Sequence, residues 1–295
     1  MVGRRAGPDH APEEHVLLPQ APLGPPLPAS VIDWLSLCRA ARDDVRASLE
    51  RLSTRAEREA VVGAGEGGDE TTAIDAEAER AVVERLDAAG IDFALVSEEL
   101  GFRPARGKGA CTVVLDPIDG SINAKRGIPY FALSIAVADG PTLGDVVFGY
   151  VYDFGSGEEW TASRGQGARL NGASLDGTFP RERIELLALE ATKTHLVARH
   201  APRLVPLAER LRIMGSLALS LCHLAAGRVD AVCSLRSARS VDIAAAQLVV
   251  RERGLAIELP DRAPLVAAPL DLGQRSRVVA AATPELCARL AAALG

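Results

Sequence analysis

Two carboxylates three residues apart, Asp116 and Asp119, sit at the centre of the segment TVVLDPIDGSINAKRG (112–127), and Gly120 and Ser121 follow at once. Side chains three apart on an unbroken strand face opposite sides. Pro117 lacks an amide hydrogen and is expected to stop the strand's ladder. The turn it starts can bring both acids to one point, with the Ile118 carbonyl between them as a further oxygen. Carboxylates this close force one another to protonate unless a cation neutralises them, and Mg²⁺ suits ligation by oxygen alone. Gly120 has no Cβ, so backbone amides there can approach an anion, and a helix beginning at that point adds its dipole in favour of phosphate. The pattern is one of metal ligands beside an anion cradle. An Asp-rich surface turn is the plain alternative, and the wholly apolar run TVVL before the turn argues against it.

Other residues with chemical potential read as structure. His195 and His200 lie five apart with no third ligand in view, the pattern of a surface pair. His223, inside the apolar run LALSLCHLAAG, is expected in the core or at an interface. GQGARLNG (165–172) is Gly-rich but lacks the strand–turn–helix context of a dinucleotide site, so a hairpin is expected. The cysteines, Cys38, Cys111, Cys222, Cys233 and Cys287, are odd in number and never spaced C-x-x-C. They argue against a disulfide framework and a thiolate zinc site and predict buried free thiols.

The elements that must position the acids can be read from periodicity. Residues 1 to about 28 are rich in Pro, Ala and Gly and are expected to form a disordered tail. Ser30 reads as an N-cap for an amphipathic helix through Trp34, Cys38, Val45 and Leu49. GAGEGGDE (63–70) reads as a loop, and Ile74, Ala78, Val82 and Leu86 mark the buried face of a second helix. Short β-rich runs follow: FALV (93–96), TVVL (112–115), FALSIAVA (131–138) and DVVFGYVY (145–152). Asn171–Gly172 reads as a tight turn. Beyond residue 180, strand IELLAL, helix SLALSLCHLAAG, strand VDAVCS, helix DIAAAQLVVRERG and strand VVAAA alternate, before a last helix opened by Thr283 and Pro284. The fold class expected is mixed α/β, an antiparallel-leaning half (29–180) carrying the main site and an alternating half (181–295).

Of the 295 residues 48% are apolar and 24% charged, with a net charge of −6. This ordinary globular composition gives no support for binding nucleic acid or an anionic membrane. No apolar run reaches the about 18 residues of a membrane span, and the early arginine pair has no apolar stretch behind it. The cytoplasm is the expected location.

LDPIDGSIN resembles the signature D-P-I/L/M-D-G-T/S of the inositol monophosphatase superfamily. Further segments occur in that family's order. DETTAIDAEAE is similar to T-x-x-D-x-x-x-E, and VSEEL to the G-E-E segment, with Ser97 for glycine. SVDIAAAQLVVRERG resembles W-D-x-A-A-G-x-x-L-V-x-E-A-G, with Val241 for tryptophan, and RIMGSLALSLCHLAAGRVDA resembles the element before it. The resemblance spans about residues 31 to 293 and implies a layered αβαβα sugar-phosphatase fold. It implies that Glu98, Asp116, the Ile118 carbonyl, Asp119 and Asp242 hold two Mg²⁺, with Asp75 at a third, weaker site. It further implies that the Gly120 and Ser121 amides hold phosphate, and that Asp75, Glu98 and the Ser121 hydroxyl serve the attacking water. Homodimers are common in the family.

Ser234 stands where the inositol-specific branch has a glutamate. GGDETTAID, NAKRGIPY and DAVCSLRSARSVDIAAA resemble instead the archaeal-type dual enzymes for fructose 1,6-bisphosphate and inositol phosphates, which usually carry aspartate at that position. Arg212 and Arg236 are candidates to meet a sugar oxygen or second phosphate through their planar fork; Asp119 and Asp242 also face that substrate. Two alternatives stand beside this expectation: a 3′-phosphoadenosine 5′-phosphate phosphatase with the same metal core, and a binding or regulatory protein with vestigial catalysis.

Overall fold

The computed structural model describes residues 32–66, 70–107, 110–177, 183–190, 193–262 and 264–295. The expected tail and the expected Ser30 cap lie outside them. Helix α1 (Trp34–Arg51) starts behind Asp33, whose carboxylate accepts from the Ser36 amide at 3.0 Å and its hydroxyl at 2.7 Å. A short helix α2 (Arg55–Glu59) follows, closed by a reciprocal Thr54–Glu57 capping box. The run read as a Gly-rich loop then contributes to two paired strands, β1 (Val61–Ala64) and β2 (Glu70–Thr72). Exposed Val61 and Val62 begin this ribbon, and β-branched residues favour the extended backbone. Helix α3 (Ala73–Ala88) packs on α1 as its periodicity predicts.

The first large sheet comprises β3 (Phe93–Ser97), β4 (Gly101–Arg103), β5 (Cys111–Asp119), β6 (Ala132–Ala138), β7 (Val146–Asp153), β8 (Glu159–Ser163), β9 (Ala168–Leu170) and β10 (Ala173–Ser174). Its order is β10-β9-β8-β7-β6-β5-β3-β4, antiparallel except for the parallel β3–β5 pair. Helix α4 (Ser121–Arg126) separates β5 from β6. Asn171 and Gly172 turn β9 into β10 with positive φ at both residues, 52° and 80°, as a tight hairpin requires.

The second sheet comprises β11 (Ile184–Glu190), β12 (Ala208–Arg212), β13 (Ala231–Ser234), β14 (Ala256–Glu258) and β15 (Val279–Ala281), in the order β12-β11-β13-β15-β14. Helices α5 (Thr194–Leu204), α6 (Leu217–Ala225), α7 (Ser240–Glu252) and α8 (Pro284–Leu294) accompany it. The sequence pattern hides two of these elements. Strand β12 is a polar edge strand with exposed side chains, and α5 buries Leu204 while carrying Pro202 in its last turns.

Helices α1 and α3 cover one face of the first sheet. Helices α6 and α7 fill the space between the sheets, and α5 and α8 close the far face of the second. The layering is therefore αβαβα, as the resemblance implies. Helix α7 has sheet or helix on every side and is buried from Val241 to Val250 apart from Asp242, which accounts for its apolar circumference. The cysteines are all buried and free, as expected. Among the described residues, no helix is long and apolar enough to cross a membrane.

The contact of α7 with the first sheet is close at Gly149 on β7. A Cβ placed there would lie 2.7 Å from the Ala245 carbonyl oxygen of α7. We therefore expect Gly149→Val to destabilise the protein by about 1–3 kcal/mol, the usual range for overpacking, despite the better strand propensity of valine. Thermal unfolding measures this, and an unchanged midpoint would contradict the described packing.

Candidate metal centre

Strand β5 does not end at Pro117, as the sequence suggested; its ladder kinks and resumes. Asp116 pairs with Ser134 and Asp119 with Ala132, so three steps on β5 match two on β6. The extra residue is a bulge, and it sits where the proline has no hydrogen to give. A one-residue offset reverses the alternation of faces, which puts Asp116 and Asp119 on the same side of the sheet. Glu98 follows the last residue of β3, which lies alongside β5 with Ser97 opposite Leu115. Asp242 stands in the first turn of α7, where the helix dipole favours a negative charge.

Glu98, Asp116 and Asp242 each present an oxygen within 4.8 Å of the others. A cation already lies among them. The Arg239 guanidinium donates through Nη2 to Glu98 Oε1 at 2.6 Å and Asp242 Oδ1 at 2.8 Å. Its backbone amide donates to Asp242 Oδ2 at 2.7 Å. Sequence reasoning missed Arg239; its signal was the three-residue spacing to Asp242 at a helix N-terminus, where the two side chains face one another. Arg239 is held well above the ordinary arginine range by the acids around it, mainly Asp242 and Glu98, against the opposing effect of burial.

The acids respond to burial and to one another. Burial first, then the Asp242 charge, push Glu98 up to about 7 despite Arg239. Asp116 is raised well above its usual value by burial and by Glu98, Asp119 and Asp242. Asp119 rises to about 6, chiefly from burial, although it accepts from the Ser216 hydroxyl at 2.6 Å and the Ala218 amide at 2.7 Å. Asp119 is thus tied to the N-terminus of α6, beside the three-acid group and outside it. Glu190, a second residue the sequence did not single out, accepts from the Gly215 amide at 3.0 Å and the Ser220 hydroxyl at 2.6 Å, and so braces the loop that holds Asp119.

Gly120 caps α4 with φ 97°, and a Cβ there would meet Gly215 O at 3.1 Å and Tyr130 O at 3.2 Å. Glycine is required on both counts. The Ser121 hydroxyl donates to the Ile118 carbonyl at 2.9 Å. Asp75 lies on α3 and pairs with Lys125 Nζ at 3.0 Å and with the Thr72 hydroxyl; its Oδ1 is buried with no hydrogen-bond partner among the described residues. Arg212 is exposed at the end of β12 and donates to the Leu211 carbonyl, and Arg236 is exposed in the loop after β13. Ser234 is buried and bonds the Val278 backbone. His195 and His200 lie on α5, His195 exposed and His200 half-buried, while His223 is half-buried between the rings of Tyr130 and Trp160.

The three converging carboxylates form a donor set of hard oxygens whose negative charge exceeds what the single guanidinium offsets, which suits a divalent cation. The sequence pattern described as "Inositol monophosphatase family" matches residues 33–295. The chain belongs to that family. Two archaeal relatives, both named fructose-1,6-bisphosphatase/inositol-1-monophosphatase, are similar over most of their length. The one from Methanothermobacter thermautotrophicus is 31% identical, covering 86% of this chain and 93% of its own. That from Archaeoglobus fulgidus is 33% identical, covering 84% and 93%. A solved structure described as an inositol monophosphatase–fructose 1,6-bisphosphatase matches with a TM-score of 0.77 and 26% identity, covering 89% of this chain and 100% of that one. The inositol monophosphatase family is generally metal-dependent, and the acid group of this member is able to hold an ion.

Carboxylates whose pKa is raised by folding contribute stability that is present at low pH and lost as pH rises through the folded value. For Glu98 that window runs from 4.5 to about 7, and the raised Asp116 acts in the same direction. Replacing Asp116 by Asn removes one of the repelling charges. We expect Asp116→Asn to be more stable than the wild type at pH 8 without metal, by about 0.5–2 kcal/mol, with the gain shrinking towards pH 5. Melting curves of chelator-treated protein across that range check it; a loss of stability at pH 8 would contradict the described crowding.

Proposed function

We propose that this protein is a Mg²⁺-dependent phosphomonoesterase that hydrolyses fructose 1,6-bisphosphate and inositol monophosphate. The observation that carries the reading is the convergence of Glu98, Asp116 and Asp242 beside the glycine-capped turn at Gly120. The names of the archaeal relatives support the choice of substrate.

In this reading Glu98, Asp116, Asp119, Asp242 and the Ile118 carbonyl hold two Mg²⁺, which supply charge neutralisation at the attacking and leaving oxygens. Lys125 already neutralises Asp75, which favours two ions over three. The unpartnered Asp75 Oδ1 accepts a proton bond from the attacking water. Ser121 donates its own hydrogen to Ile118, so its oxygen remains free to accept from the same water. The Gly120 and Ser121 amides receive the phosphate, and Arg212 and Arg236 approach the far end of the substrate. Buried reduced cysteines fit a cytoplasmic protein, and a homodimer is the assembly the family resemblance favours.

Phosphate release from fructose 1,6-bisphosphate and inositol 1-phosphate is expected with Mg²⁺ and absent with a chelator. Preferential turnover of 3′-phosphoadenosine 5′-phosphate would favour the alternative substrate class, and no turnover of any of the three would refute the enzyme reading. Asp119→Asn is expected to lower kcat/KM by the order of 10³-fold, about 4 kcal/mol of barrier, with folding retained. Protons compete with metal for carboxylates, and Glu98 is pushed up to about 7. At subsaturating Mg²⁺, turnover should therefore rise from pH 6 to pH 8, and saturating Mg²⁺ should move that rise to lower pH. A rise that does not respond to Mg²⁺ concentration would count against proton–metal competition.

A further inference from the structure

We infer that Arg239 is the resident counter-cation of the metal-free centre, which an entering divalent ion must displace, so that this side chain sets the affinity of the site for metal. The inference rests on the reading of Glu98, Asp116 and Asp242 as metal ligands. It goes beyond that reading by giving the arginine a role opposed to binding.

The argument is one of shared space. Nη2 lies 2.6 Å from Glu98 Oε1 and 2.8 Å from Asp242 Oδ1. Those two acids, with Asp116, also form the group whose oxygens lie within 4.8 Å of one another. A Mg²⁺ ion approaches its oxygens to about 2.0–2.1 Å, so an ion held by Glu98 and Asp242 through these atoms would need the position of Nη2. Two positive centres cannot share it.

The surroundings make the guanidinium displaceable. Arg239 is anchored independently, through its backbone amide to Asp242 Oδ2 at 2.7 Å, so the helix cap survives when the side chain turns away. Its Nη1 is buried with no hydrogen-bond partner among the described residues. The acid-bound pose therefore leaves one donor unsatisfied, and leaving that pose recovers its hydration. The side chain is 11% exposed, against 18% and 17% for Glu98 and Asp242, so the contact is shielded and less weakened by salt than a surface pair.

The test uses the full chain stripped of metal, with Mn²⁺ and Mg²⁺ titrated by calorimetry at pH 8. Arg239→Met, which keeps the length and removes the charge, is expected to bind both ions tighter than wild type by about 5–150-fold, the usual range of coupling between competing ligands. Its metal-free melting temperature should be lower than that of wild type, and saturating metal should close the gap. Affinity equal to or weaker than wild type overturns the inference while leaving the metal reading intact. Should Arg239→Met fail to fold without metal, Arg239→Lys decides: it loses the planar fork and should also bind metal tighter, and unchanged affinity overturns the inference. If neither wild type nor variant binds metal, the ligand assignment itself falls, and the inference falls with it.

Discussion

Like charges held close together govern the site. A pair of unit charges 4 Å apart near a protein surface repels by about 4 kcal/mol, and Glu98, Asp116 and Asp242 bring three carboxylates within 4.8 Å, with the charge of Asp119 also felt at Asp116. One arginine cannot neutralise them all. Burial and the remaining charge together disfavour ionisation, so Glu98, Asp116 and Asp119 are all raised, and a divalent cation would relieve that cost. Such a cluster is costly to a folded chain, and its position around a buried Asp116, with Glu98 and Asp242 half-buried, is the physical reason for reading it as a metal centre.

The fold bears this cost by dividing the acids among separate, well-packed elements. Glu98 follows β3, Asp116 and Asp119 belong to β5, and Asp242 opens α7. The bulge at Pro117 and Ile118 sets the direction of the β5 acids. The central helix layer presses α7 against the first sheet closely enough that Gly149 has no room for a side chain facing Ala245. Glu190, fully outside the acid group, fixes the Gly215–Ser216 loop and through it Asp119. Precise placement thus comes from apolar packing, and the polar groups act within the geometry it leaves them.

Much of this was legible in the sequence. The apolar alternation gave the main strands and the central helices. The family resemblance joined Glu98, Asp116 and Asp242 from distant segments, which the fold brings together, while Asp119 lies outside that group. Local patterns carried less where tertiary context decides. Pro117 breaks a ladder on propensity grounds, yet the surrounding sheet absorbs it as a bulge. β12 has too few buried side chains to show a period, and the Gly-rich stretch near residue 63 pairs through its backbone, which no side-chain pattern reveals. Arg239 was missed for a different reason. An arginine at a helix N-terminus, three residues before Asp242, reads as a local partner of that acid until Glu98 and Asp116, distant in sequence, are seen beside it.

The most direct test of the central claim is diffraction from crystals grown with Mn²⁺, recorded where manganese scatters anomalously. The account predicts an anomalous peak bounded by the carboxylates of Glu98, Asp116 and Asp242. A well-ordered site with no such peak, its acids still closed around Arg239 at high Mn²⁺, would contradict it.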